Sequence, residues 1–312
     1  MHLSHGRAIG LGFLLALVSG TPAHAANIEL SGKQVYPESL SADADGTLYI
    51  GSAGDGGVLK VAPGTTDAVP WIAPAAYGSR SVLGVFADDA RGLLWVCSDD
   101  LSSSKVASPG TGATALKAFD LKSGTGKVSI DLPGSDPFCN DIAIARDGAV
   151  YVTESTNGRV LKVSSDLRSL AVWAEDKQLL DVDGLAFGAD GNLYVNTYAG
   201  NGFFRITVKD GTAAKITRLA TPHPLFHPDG MRVVEGNTFL MVEGGGKLDR
   251  ITVVGDQVVI ETIMRLLEPA GVQRIGPTIW VAETQISVLF RENQAAVPKL
   301  PFRIVGVSPA AH

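Results

Sequence analysis

The sequence predicts an all-β fold, a six-bladed β-propeller, and three observations point to it. A unit of roughly 40–56 residues recurs six times. Each unit opens with a hairpin marked by turn residues. The chain of 312 residues carries 36 Gly and 16 Pro, which disfavours long helices and suits many short strands.

The first element is an address. Residues 8–20 form a 13-residue apolar run after a single cation, Arg7, and Ala23-His24-Ala25 supplies an A-x-A pattern. This is the pattern of a secretory signal, residues 1–25, with cleavage expected after Ala25 and residues 26–312 left as one propeller domain. The run is short for a bilayer span and no second one follows, so no membrane span is expected. Cleavage removes one cation and no acid, taking the net charge from −6 to −7, and leaves three histidines: His223, His227 and His312. A three-histidine metal site is thereby disfavoured. The absence of a basic block argues against a nucleic-acid partner. The protein is expected to be periplasmic or secreted, where disulfides form and calcium is plentiful.

The repeats then follow in order. They read ESLSADADGTLYIGS from Glu38, GVFADDARGLLWVCS from Gly84, NDIAIARDGAVYVTES from Asn140, DGLAFGADGNLYVNT from Asp183, DGMRVVEGNTFLMVE from Asp229 and PAGVQRIGPTIWVAE from Pro269. Eleven residues after each start stands Tyr49, Trp95, Tyr151, Tyr194, Leu240 or Trp280. Turns are marked by Asp45-Gly46, Arg91-Gly92, Asp147-Gly148, Asp190-Gly191 and Gly236-Asn237. Strand-like runs at 158–165, 201–208 and 247–254 bring each unit to about four strands, one blade. A misjudged terminal strand would give five or seven blades. Residues 27–36 and 298–307 are expected to pair across the closure, which removes exposed sheet edges. The second unit is the longest, and its Ser/Gly/Thr-rich stretch 101–116 reads as a loop, either a surface insertion or a flap over the site.

The inner strand of each blade lines the channel, so the six starting residues converge although they lie far apart in sequence. That column is Glu38, Gly84, Asn140, Asp183, Asp229 and Pro269. Three carboxylates at close quarters repel one another. One divalent cation, calcium for preference, held by Glu38, Asn140, Asp183 and Asp229, relieves that repulsion through oxygen donors. Asp45, Asp147 and Asp190 lie between strands and read as turn formers instead.

These residues resemble the senescence marker protein, regucalcin and gluconolactonase group, with the paraoxonases more distant. The resemblance spans residues 26–312 as a blade pattern with few fixed letters. It implies a six-bladed propeller with one divalent cation at the channel mouth and lactone hydrolysis. Glu38 matches the glutamate of that family's first blade, and Asn140-Asp141 matches its Asn-Asp. Asp229-Gly230-Met231 matches a segment whose aspartate binds metal and is a candidate base. Asp183 replaces the usual asparagine. Phe138 stands where sugar-lactone members have an arginine, so the resemblance implies a substrate less polar than gluconolactone, with Asn140 and Phe138 contacting it.

Other residues compete for roles. His227 is a second candidate base, or else a loop histidine. Glu154, Glu243 and Glu283 recur fourteen residues after their starts, which suggests inter-blade or supporting hydrogen bonds. Asp141 reads as a supporting residue. Cys97 and Cys139 fall at one end of neighbouring blades, as a disulfide or as two buried thiols. Two functions remain: a cation-dependent hydrolase of a small-molecule lactone or ester, and a non-catalytic binding propeller with a structural metal. A strictosidine-synthase-like condensing enzyme would need a catalytic glutamate that is not identifiable here.

Overall fold

A computed structural model describes residues 23–24, 27–104, 106–290 and 296–308. The predicted signal, 1–25, lies outside the described residues apart from Ala23-His24. The described chain forms six antiparallel sheets arranged as a six-bladed propeller. Five blades are meanders of four consecutive strands, and their inner strands are Pro37–Ala42, Ser81–Asp88, Cys139–Ile144, Val182–Phe187 and Pro228–Glu235.

The sixth blade closes the ring as expected. Its inner strand, Pro269–Ile275, is followed by Thr278–Glu283 and Phe302–Ser308, and its outer strand is Ile28–Leu30 from near the N-terminus. Ala23–His24 pairs with the far end of Phe302–Ser308. Among the described residues, no helix is long and apolar enough to cross a membrane.

The turns form where the sequence marks them. Gly46, Gly92, Gly148, Gly191 and Gly236 all have positive φ, a conformation that costs glycine little. Tyr49, Trp95, Tyr194 and Leu240 are fully buried. The buried aromatics keep their polar atoms satisfied at the hairpin end: Tyr49 donates to Asp43 (3.0 Å), Tyr194 to Asp190 (2.9 Å) and the Trp95 indole to Asp88 (3.2 Å).

Strand register corrects the inner column in two blades. Leu40 pairs with Ile50 and Leu185 with Val195, but Val85 pairs with Val96 and Val272 with Val281. The second hairpin is therefore one residue longer and the sixth one shorter. The residues equivalent to Glu38 are Leu83 and Ala270, not Gly84 and Pro269. Gly84 belongs instead with Gly184, Gly230 and Gly271, where neighbouring blades approach most closely. A Cβ at these positions would lie within 2.2–2.6 Å of the carbonyl oxygens of Asn140, Asp229, Ala270 and Glu38.

Candidate active site

The start of each inner strand opens on one end of the channel. There Glu38, Asn140, Asp183 and Asp229 line a single cavity of about 210 Å³. Leu83 and Phe138 line it too, joined by Ile286 and Phe290 from the last blade. Polar groups thus face an apolar wall. All four proposed cation ligands are at least nine-tenths buried.

Three acids so placed cannot all ionise freely. Burial first, then Asp183 and Asp141, holds the Glu38 carboxyl well above its ordinary range, while Arg232 pulls it down. Burial first, then Asp183 and Glu38, does the same to Asp229. Asp183 is pushed up to about 8, by burial and then by Asp141, against the hydrogen bond from Asn140. The Asn140 amide nitrogen donates to Asp183 (3.0 Å) and to Ser155 (3.1 Å), so its side chain is fixed.

The donors are all oxygen-bearing, and three of them are buried acids, which fits a hard divalent cation. Among the described residues, no three His, Cys, Asp or Glu side chains are drawn together tightly enough to cage a metal as they stand. The four ligand candidates line one cavity, where Asn140 and Asp229 both hydrogen-bond Asp183. Asp141 does not line the cavity; it is paired with Arg232 at 2.7 Å.

His227 does not line the cavity either. Its ring is sandwiched between Tyr198 (4.5 Å between centroids) and Phe226 (4.4 Å), and Tyr198 forms part of the cavity wall. His223 is exposed, its Nδ1 lying 3.1 Å from the Pro224 carbonyl oxygen. His312 lies outside the described residues.

Cys97 and Cys139 form a disulfide between blades two and three, with Cα atoms 5.2 Å apart, directly beside Asn140. The Cys139 N–H also donates to Asp99 at 2.8 Å. The three glutamates serve their own blades rather than bridging between them. Glu154 accepts the Phe138 N–H (3.3 Å) and pairs with Arg159 (2.6 Å). Glu243 likewise holds the Phe226 N–H and Lys247, and Glu283 holds the Leu267 N–H and Arg303.

The long loop of blade two packs down against the rim, with Leu101 and Val106 buried and Ser108 bonded to Ser81 (2.8 Å). None of its described residues lines the cavity. Ser104, Val106 and Ala107 line a neighbouring hollow that shares Phe290.

Sequence reasoning missed Leu83, Arg232, Tyr198 and the short helix Ile286–Leu289. Leu83 was legible, because Leu83-Gly84 repeats the pattern of Asp183-Gly184 and Asp229-Gly230. Arg232 has no counterpart in the other repeats, and a four-residue helix leaves no periodicity.

Neither a protein-family model nor a curated protein sequence matches the chain. Solved structures do match it in fold. A gluconolactonase from Xanthomonas campestris is 16% identical with a TM-score of 0.63, over 93% of this chain and 96% of that one. A luciferin-regenerating enzyme is 13% identical with a TM-score of 0.67 over the same shares. Virginiamycin B lyase from Staphylococcus aureus is 16% identical with a TM-score of 0.61, over 91% of this chain and 98% of that one. These likenesses establish the propeller. They span different chemistries, so the fold does not choose the reaction.

Proposed function

We propose that the protein is a periplasmic or secreted hydrolase of lactones or related esters, assisted by one divalent cation, calcium, on Glu38, Asn140, Asp183 and Asp229. The observation that supports this reading is the meeting, in one cavity, of three buried acids, a fixed amide and an apolar wall. A cation bound there would supply a Lewis acid for the ester carbonyl oxygen.

The chain's own residues divide the remaining work. Asp229 is the base: it stands on the cavity wall with one carboxylate oxygen held by the Gly230 N–H at 2.8 Å, and the charge of a bound cation would keep it ionised to take a proton from water. Asn140, its amide nitrogen committed to Asp183 and Ser155, would offer its amide oxygen to the cation and place that cation against the carbonyl end of the substrate. Phe138 and Leu83 take the acyl or alkyl part. His227, set back behind Tyr198, steadies that ring against the cavity. The structural likeness to a gluconolactonase, with the blade-pattern resemblance to the senescence marker protein group, supports the lactone end of this range.

The test is hydrolysis of alkyl lactones, aryl esters and gluconolactone by the purified protein, with calcium and with chelator. Calcium-dependent turnover that favours alkyl lactones is expected, and Asp229→Ala should abolish it. A phenyl-sized contact is worth roughly 1.5–3 kcal/mol. Phe138→Arg should therefore shift kcat/KM by about one to two decades towards gluconolactone. Wild-type preference for gluconolactone would sink the apolar assignment. A calcium-dependent rise in melting temperature with no turnover would select a non-catalytic binding propeller.

A further inference from the structure

Arg232 is buried in the channel beneath the acids, and it touches four blades at once. From the fifth blade its guanidinium reaches Asp141 in the third, at 2.7 and 3.2 Å. It donates to Ser39 (3.3 Å) and the Leu40 carbonyl (3.2 Å) in the first blade, and to the Val85 carbonyl (3.3 Å) in the second. It also donates to its own neighbour's carbonyl, Met231, at 2.8 Å. The Arg232 side chain is 11% exposed and that of Asp141 is 5% exposed. No repeat demands an arginine here, since the equivalent inner-strand positions hold Ser41, Phe86, Ala143, Ala186 and Gln273.

We infer that Arg232 is a positioning residue that sets the charge of the site. By pairing with Asp141 it withdraws a fourth carboxylate from the channel and leaves three for the cation. The inference rests on the cation reading proposed above. Its physical basis is the range of charge in a protein interior. A bound divalent cation would be drawn by the Asp141 carboxylate and repelled by the Arg232 guanidinium. One unit charge within about 10 Å, poorly screened, changes divalent affinity by about tenfold or more. A lysine could supply the charge but not the fork that meets a carboxylate and several carbonyls together.

The experiment is calorimetric titration of the purified protein with calcium, alongside melting temperature, and needs no substrate. Asp141→Asn keeps the shape and leaves an extra positive charge, so calcium affinity should fall about tenfold or more. Arg232→Met leaves an extra negative charge, and affinity should rise by a similar factor. The double variant restores the net charge and should return to within about threefold of wild type, because a buried pair can be exchanged for neutral groups together. Arg232→Lys should keep wild-type affinity while melting lower. If Arg232→Met does not fold, Asp141→Asn and Arg232→Lys still decide the matter. Wild-type affinity in Asp141→Asn would overturn the inference and leave Arg232 a packing strut. A wild-type protein that binds no calcium would overturn the cation reading itself, and the charge-setting role with it.

Discussion

Asp183 holds its proton more tightly than an ordinary aspartate, and the pH dependence of stability follows. Its affinity is raised to about 8, by burial first and Asp141 second. Between the ordinary value, roughly 4, and about 8, the folded state therefore keeps a proton that the unfolded chain has released. Stability falls with pH wherever the folded state binds more protons. In chelator, the melting temperature should decline as pH rises through that window and level off above it. Asp249, pushed up to about 7 by burial and by Glu243, titrates in the same range. The decisive comparison is therefore Asp183→Asn against wild type, and the variant should show the shallower slope. Excess calcium should flatten the wild-type slope too, since a cation takes the place of the protons. Equal slopes for variant and wild type in chelator would show that Asp183 ionises normally. The acids of this site were legible in the sequence because they recur in step with the blades. Arg232 was not, because it appears once and pairs with Asp141, 91 residues away.

Within a blade, the repeated glutamate is the element that fastens the incoming loop to the sheet. Glu154 and Glu283 each accept a loop N–H and pair with an arginine on the third strand. The two pairs differ in exposure, which predicts different costs. The Arg159 side chain is 12% exposed and that of Arg303 is 47% exposed. Breaking a buried pair strands a charge and costs about 3–5 kcal/mol, whereas a solvent-screened pair contributes about 1 kcal/mol or less. Glu154→Gln should therefore lower the urea midpoint clearly more than Glu283→Gln, and equal losses would show that the N–H contact dominates in both. The glutamates could be aligned from sequence, but their partners could not. The cation follows at 5 residues in one blade and at 20 in the other, across loops of different length. The same variation in hairpin length displaced Leu83 and Ala270 from the expected column, while the aromatic column on the second strand stayed in register.

At the scale of the whole molecule, the ring is closed by three residues. Ile28–Leu30 is the outer strand of the last blade and pairs with residues 302–304. The closure was legible because both ends of the chain read as strands with no partner inside their own repeats. Ile28 and Leu30 are each 1% exposed and sit in the same apolar cluster as Phe302 and Ile304. Burying a side chain of this kind contributes roughly 1.5–3 kcal/mol, so the short strand supplies several kcal/mol beyond its hydrogen bonds. Removing it would also bare the edge of Phe302–Ser308, a template for pairing with other chains. The expected cleavage after Ala25 spares this strand and removes only Ala23–His24 from the sheet. A protein beginning at Ala26 should therefore melt cooperatively and stay monodisperse. One beginning at Lys33 should melt markedly lower and aggregate on concentration, as light scattering would report. Equal stability of the two would mean that the sixth blade holds with three strands and that the ring is closed by its inner contacts alone, chiefly Gly271 against the Glu38 carbonyl. The closure then bears on the site as well. Glu38 enters the channel eight residues after Leu30, so a loosened strand should also weaken calcium binding, and the shorter protein should show both losses together.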